Sequence, residues 1–530
     1  MGDRARLAVD IGGTFTDLVL SFGERIASVK VLTTPEAPER GVLDGVRQII
    51  DESGCQPSDI ALVIHGTTLA TNALIERKGA RTALIATDGF RDSVEMAYEH
   101  RFEQYDLYME RPSPLVPRYW RFGIPERIAA DGEVLLPLDR SALADIVPRL
   151  LEANIESLAV GFLHSYANPD HEQTAGAFFR EQLPGVAVTL SSDVCPEIRE
   201  YERLSTACAN AYVQPLMAGY LAALDEGLAA LGLSGPLLLM MSSGGVTTVD
   251  TAIREPIRLV ESGPAGGVIL AQRVASECRV SEALSFDMGG TTAKLTLIDN
   301  GEPQHSRAFE VAREYRFLKG SGLPIRIPVI DMVEIGAGGG SIARLDAMQR
   351  ITVGPDSAGA MPGPACYDQG GSSPTVTDAD VVLGRIDPAQ FAGGKIVLDA
   401  DRATNALATD IASGIGVEPV IAAAGVAELV DETMASAARV HAVENGKDTV
   451  DRCLIATGGA APLHAARLAE KLGIDQVIVP WGAGVGSERK ILQVHVILLR
   501  TQNCRRPVTH LVAMEFSSKK DNDHPWDNDH

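Results

Sequence analysis

One pattern is written into this chain twice. LAVDIGGTFTDLVL runs from Leu7 to Leu20, and LSFDMGGTTAKLTLID from Leu284 to Asp299. Each copy reads as an apolar strand, an Asp-x-Gly-Gly-Thr turn and a second strand. One such turn is weak evidence, because Gly-Gly is common between strands. Two copies in the same strand context say more, since a phosphate chain clamped from two sides needs two such elements. Glycines let backbone N–H groups close on phosphate oxygens, threonine hydroxyls add donors, and each aspartate can hold a metal-bound water.

A third glycine turn, Thr457-Gly458-Gly459-Ala460, ends a strand and opens a helix. It offers a backbone surface on which an adenine or ribose can lie flat, at a helix end that favours anions. Elsewhere strands alternate with helices, which implies mixed α/β layers. A helix is expected over Arg40–Ser53, and a strand runs into the turn His65-Gly66-Thr67-Thr68. Further strands are expected at Arg81–Thr87, over a run ending at His164, and at Ala187–Ser192. Tyr98–Pro125, rich in Arg, Tyr and Pro, reads as irregular but ordered. Pro196–Ala218 opens a long helix that bridges two domains. Pro256–Val268 reads as a strand-like run closing on Gly263-Pro264-Ala265-Gly266-Gly267, with a helix after it.

A chain of 530 residues has room for two or more domains. A net charge of −23 with only 5% aromatics argues against a nucleic-acid or anionic-membrane binder. No apolar run approaches the roughly 18–20 residues of a membrane span. Seven scattered cysteines without CxxC suggest reduced thiols and a cytoplasmic protein, and no cluster has zinc-ligand spacing.

Several residues admit a functional and a structural role. His65, at a strand end, is a candidate for the reacting centre or a histidine held in a turn. His164 and His171 flank a Pro-Asp turn and read as structural. The run Glu197–Arg203 is a solvated helix face by default, although Arg199 or Arg203 could meet a carboxylate or phosphate. Glu334 could position a nucleophile, Asp378 and Asp380 suit a helix N-cap and first turn, and Cys366 is a poor candidate nucleophile.

The blocks DIGGTFTD, HGTTLATNALIERKGA, PERIAADGEV, FLHSYANPDHE, EIREYERLSTACANAYVQP, ESGPAGG, FDMGGTTAK, DMVEIGAGGGSIA, VGPDSAGAMPGPACY, PTVTDAD and ATGGAAPLHA occur in order over roughly residues 5–487. Together they resemble the hydantoinase A / 5-oxoprolinase family, which includes N-methylhydantoinase and the ATP-binding subunits of acetone and acetophenone carboxylases. The layout resembles that of the actin/Hsp70/sugar-kinase superfamily. The resemblance implies duplicated actin-like (ribonuclease H-like) α/β domains around a central nucleotide cleft. It implies ATP and Mg2+, and phosphorylation of a carbonyl oxygen to open a cyclic amide or imide such as a hydantoin or 5-oxoproline-like ring. Phosphorylation of an enol oxygen in a ketone carboxylase is the alternative, and a non-catalytic nucleotide switch or a sugar kinase stands further off. A B-type partner subunit in a hetero-oligomer is also implied.

On that basis Asp10 and Asp287 would hold Mg2+ through water and act in catalysis with His65. Gly12, Gly13, Thr14, Thr16, Gly289, Gly290, Thr291 and Thr292 would surround phosphates, and Gly458 and Gly459 would face the adenosine. Gly336, Gly338, Gly339 and Gly340 could wrap phosphate or substrate. The domains implied are 1–190, 191–487 and an atypical tail, 488–530. That tail matches none of the blocks and reads as a frame-shifted or truncated end.

Overall fold

The computed structural model describes residues 5–12, 15–22, 25–34, 36–98, 101–313, 320–394, 396–480 and 483, and the backbone of 496–500. Of the expected site residues, Gly13 and Thr14 lie outside the described residues. So does most of the tail.

The chain begins with β1 (Ala5–Ile11), β2 (Phe15–Phe22) and β3 (Arg25–Leu32), then α1 (Pro38–Ser53), β4 (Ile60–Thr67) and α2 (Leu69–Ile75). An inserted unit follows, with β5 (Thr82–Thr87), β6 (Arg121–Ile124), β7 (Ser157–Gly161) and β8 (Ala187–Leu190). The long α3 (Glu200–Ala230) leads back to β9 (Leu237–Met240) and β10 (Val246–Thr248), and α4 (Ser262–Glu277) follows. The second half contains β11 (Ala283–Met288), β12 (Ala293–Asp299), β13 (Glu302–Pro303), β14 (Val333–Ile335), α5 (Val376–Val382), α6 (Pro419–Glu444), β15 (Cys453–Thr457), α7 (Ala461–Leu472), β16 (Gln476–Pro480) and β17 (Val496–Arg500).

Two sheets repeat one topology. The first is ordered β10-β9-β4-β1-β2-β3 and the second β13-β12-β11-β15-β16-β17. In each, an antiparallel hairpin (β1–β2, β11–β12) is flanked by parallel strands (β4 and β9, β15 and β16). This is the duplicated ribonuclease H-like architecture of actin-like ATPases. The first sheet draws β9 and β10 from beyond the insert, so it crosses the 190/191 boundary. The insert has its own parallel sheet, ordered β8-β7-β5-β6.

Apolar strand faces supply the cores. Leu7, Val9, Leu18 and Leu20 pack with Tyr212, Val213 and Leu224 of α3 in one cluster, and Leu284, Phe286, Leu295 and Leu454 pack with Val426, Val430 and Leu468 in another. The insert's cluster centres on Ile85, Val160 and Phe179. The long helix is present, at Glu200–Ala230, and packs against both the insert and the first sheet's α1.

Five expectations need correction. Pro256–Val268 is not strand-like: Pro256–Leu259 is a short 3-10 turn and Ser262 already begins α4. Pro264 falls in the first helical turn, where a missing N–H costs nothing. The strand expected to end at His164 stops at Gly161, and Ser191 and Ser192 belong to a short helix rather than to β8. Thr375 is the cap of α5, and Asp378 is its third residue in a reciprocal capping box. Arg203 is fully buried, donating to Ser191 Oγ, Glu197 O and Phe162 O, not lying on a solvated face.

His164 and His171 are held structurally, by Tyr166 (3.4 Å) and Glu126 (2.8 Å). Cys366 is buried and its thiol is raised by desolvation and by Asp378, which disfavours a nucleophile.

One charged cluster locks the helices over the second sheet. His464 on α7 lies 2.8 Å from Asp431 on α6 and 3.2 Å from Asp380 on α5, and all three are buried. Burial opposes the imidazolium, but the bonds to Asp380 and Asp431 outweigh it and raise the pKa from 6.5 to about 9. A raised folded-state value means the stabilisation is complete below about 6.5 and is lost as pH rises through about 9. His464→Ala is expected to cost about 3–5 kcal/mol at neutral pH by leaving buried Asp431 without a partner, while Asp380 keeps Arg385 (3.0 Å). Thermal unfolding followed from neutral to alkaline pH checks this. The wild-type melting temperature should fall more steeply across pH 9 than that of His464→Gln.

Candidate nucleotide cleft

The two motif aspartates stand at equivalent places in their sheets. Asp10 pairs across the strands with Gly66 on β4 and Asp17 on β2. Asp287 pairs with Thr457 on β15 and Lys294 on β12. Residues directly opposite in a sheet share a face, so each aspartate stands in a defined row of side chains.

The first turns of α4 join the two rows. A methyl group built at Gly263 would lie 3.8 Å from Asp10 Oδ1, and one at Gly267 would lie 3.0 Å from Asp287 Oδ2. Four residues of helix rise about 6 Å, so the aspartates meet the same helix one turn apart. The glycines permit that approach: a side chain at Gly267 would displace the carboxylate. Ser262 ties the helix to the first half, exchanging bonds with the Thr67 backbone (3.3 and 3.1 Å), and Glu261 N donates to Thr71 Oγ1 (3.1 Å). Lys294 ties it to the second half through Glu261 (2.8 Å). Burial works against the ammonium, but Glu261 and Glu334 outweigh it and hold the Lys294 pKa above its ordinary range.

The second hairpin presents an open tip. Gly289, Gly290 and Thr291 are exposed, and Gly289 N closes the turn on Thr292 O (3.1 Å). A Cβ at Gly289, Gly290 or Gly459 would meet nothing within 4 Å, so those backbones face open space. Gly458 is the opposite case. Its φ is +90°, its N–H donates to Ala483 O (2.7 Å), and a Cβ would crowd Asp287 Oδ1 and Met288 O.

Gly338, Gly339 and Gly340 brace this hairpin from behind. Gly338 N donates to Ser341 Oγ (2.8 Å), Gly339 N to Gly289 O (3.0 Å) and Gly340 N to Gly290 O (2.6 Å). The donors that wrapping a phosphate would require of Gly338 and Gly339 are therefore engaged inside the protein. Thr16 is likewise buried, with its hydroxyl 3.1 Å from that of Thr33, which donates to Gly12 O (2.9 Å). It supports the first hairpin from within.

His65 is a correction. It is 0% exposed, with Nδ1 3.3 Å from Val9 O and Nε2 2.7 Å from the Tyr220 hydroxyl. Desolvation lowers its pKa to about 4, against the opposing effects of the Val9 carbonyl and Asp10. A neutral imidazole with both nitrogens occupied in the core has no route to a reacting group. Glu334 is half of an ion pair with Lys294 (3.4 Å).

Tyr98–Pro125 also contains β6 and lines a separate cavity of about 200 Å³, walled by Tyr98, Phe102, Arg111, Tyr201 and Leu323. Tyr220, beside His65, lies twelve residues along α3 from the cavity's Cys208, about 18 Å of helix.

Cation binding can be tested against these residues. Asp10 Oδ1 is buried without a hydrogen-bond partner, the kind of orphan that a hydrated cation satisfies. Among the described residues no group of three or more His, Cys, Asp or Glu could hold a metal ion. A hard cation that shares its shell with phosphate oxygens and water fits Asp10, as Mg2+ usually does.

The repeated sheet topology defines an actin-like fold of two halves. The hydantoinase/oxoprolinase family matches residues 203–489, and its N-terminal region matches residues 6–183. The chain belongs to that family. It is 38% identical to caprolactamase subunit alpha of Pseudomonas jessenii over 90% of this chain and 68% of that protein. The crystal structure of the ATP-dependent caprolactamase from that organism superimposes with a TM-score of 0.82 at 36% identity, covering 91% of this chain and 70% of that one. Nucleotide-free acetone carboxylase superimposes with a TM-score of 0.75 at 28% identity, covering 92% and 70%. The 5-oxoprolinase of Saccharomyces cerevisiae is 32% identical over 94% of this chain but only 42% of its own length.

Proposed function

We propose that this chain is the ATP-using subunit of an enzyme that opens a cyclic amide or imide. The observation that carries the reading is the pair of motif aspartates set one turn apart against α4. An amide oxygen is a poor leaving group and phosphate a good one. The amide oxygen attacks the γ-phosphorus and ADP leaves. Water then adds to the activated carbon, the C–N bond breaks as the amine takes a proton, and the acyl phosphate that results is hydrolysed by a second water to carboxylate and free phosphate.

In this reading Gly12, Gly289, Gly290, Thr291 and Thr292 line the triphosphate, with Gly458 and Gly459 toward the adenosine. Mg2+ bound at Asp10 and Asp287 through water would neutralise charge spreading over the transferred group. The chain's own task is to align oxygen and phosphorus and to keep stray water away. Thr16, Gly338 and Gly339 are assigned to supporting the hairpins.

The caprolactamase similarity exceeds the acetone carboxylase similarity in identity and TM-score, which favours amide opening over the carboxylase reading. A relative named as a subunit supports a second, B-type partner and a hetero-oligomer, and the reduced-thiol composition supports a cytoplasmic site. Phosphate release is the test, measured with the co-expressed partner and ATP. Lactams or hydantoins should stimulate it by at least about tenfold without bicarbonate. Stimulation by ketones only, and only with bicarbonate, would assign the carboxylase branch. No stimulation of a folded complex would defeat both.

A further inference from the structure

The two rows that carry the motif aspartates agree in place and differ in charge. Row one reads Gly66, Asp10, Asp17, Lys30, and row two reads Thr457, Asp287, Lys294, Glu334. Seven residues after its aspartate, the first copy has an acid and the second a base. In row one, Lys30 sits on the far side of Asp17 (2.5 and 2.7 Å), removed from Asp10, whose Oδ1 is buried and unpartnered. In row two, Lys294 is the cross-strand neighbour of Asp287 itself, with Glu261 at 2.8 Å and Glu334 at 3.4 Å. The Lys294 side chain is only 16% exposed, so little water screens it.

We propose that the cleft takes one divalent cation, on the Asp10 side, and that Lys294 fills the counterpart place beside Asp287 as a built-in cation. This rests on the ATP reading above and refines its metal assignment. A second divalent ion beside Asp287 would meet a fixed ammonium, and like charges at that range repel. Among the described residues no ammonium is paired with Asp10, because Lys30 is bound to Asp17 instead. Two near-identical halves thereby acquire a direction, with a metal on one side of the triphosphate and an ammonium on the other.

Mn2+ binding to the full chain, in the presence of a non-hydrolysable ATP analogue, tests this without reading activity. Free Mn2+ is followed by electron paramagnetic resonance, and thermal unfolding verifies that each variant is folded. Wild type should bind about one Mn2+ per chain. Asp10→Asn should weaken that binding by at least about tenfold, and Asp287→Asn by less than about threefold. Lys294→Gln should raise the stoichiometry to about two, because Asp287, Glu261 and Glu334 lose their ammonium, while Lys294→Arg should leave it at about one. Equal weakening by Asp10→Asn and Asp287→Asn would overturn the proposal, as would a folded Lys294→Gln protein that still binds one ion. If Lys294→Gln does not fold, the two aspartate variants decide alone. A wild type that binds no nucleotide would instead defeat the ATP reading itself.

Discussion

Gly458→Ala is expected to lower ATP turnover by about 10²-fold or more, the scale on which an ångström of misplacement acts in an active site. Two independent constraints converge on this residue. Its φ of +90° is one that side-chain-bearing residues rarely adopt, and the added methyl would crowd both Asp287 Oδ1 and Met288 O. Neither is the flexible end of a side chain: one is the carboxylate beside α4, and the other is a backbone carbonyl that accepts from Ala460 N (3.0 Å). Relief must move the turn or Asp287, and either shift alters the cleft. Gly459→Ala is the matched control. Its Cβ would meet nothing in the protein, so stability should change by less than about 1 kcal/mol. If Gly459 faces the adenosine, its methyl should still raise the KM for ATP. Steady-state kinetics with a melting curve for each variant separates these outcomes.

The second large effect concerns the aspartates together. Asp10→Asn and Asp287→Asn should each reduce turnover by on the order of 10³-fold, typical for loss of a preorganised electrostatic contact. The double variant should be little worse than the poorer single one, because residues that act on one transferred group are not additive. Effects that multiplied instead would mean two independent sites rather than one shared cleft. Both replacements are nearly isosteric, and neither aspartate belongs to an apolar core cluster, so the fold should tolerate them.

Much of this was legible in the sequence, for a physical reason. A Gly-Gly-Thr turn between apolar strands is local chemistry, and its two copies fixed the repeated hairpins and, through them, the duplicated sheets. The start of α4 was not legible. In PIRLVESGPAGGV, apolar residues followed by Gly and Pro suggest a strand and a turn, yet Ser262 to Gly267 are helical. Helix propensity there is poor. Packing overrides it: the glycines leave room for both aspartates, and Ser262 is held by Thr67, 195 residues earlier. His65 misled in the same way, since the partner that occupies its Nε2, Tyr220, is 155 residues distant. Lys294 was overlooked although a signal existed. Aligning the two copies shows Asp17 against Lys294, and the difference gains meaning only once both are seen to be the cross-strand neighbours of the motif aspartates. The brace formed by Gly338 to Gly340 required the same long-range pairing, because only the fold tells which N–H groups are already engaged.

The central claim is that two hairpins, one from each half, grip a single triphosphate. A crystal structure of the chain with Mg2+ and a non-hydrolysable ATP analogue tests it most directly. Phosphate oxygens should lie within hydrogen-bond reach of both the Asp10 and the Asp287 hairpins, with the adenosine on the Gly458-Gly459 turn. A triphosphate touching only one hairpin, or a nucleotide bound outside this cleft, would contradict the claim.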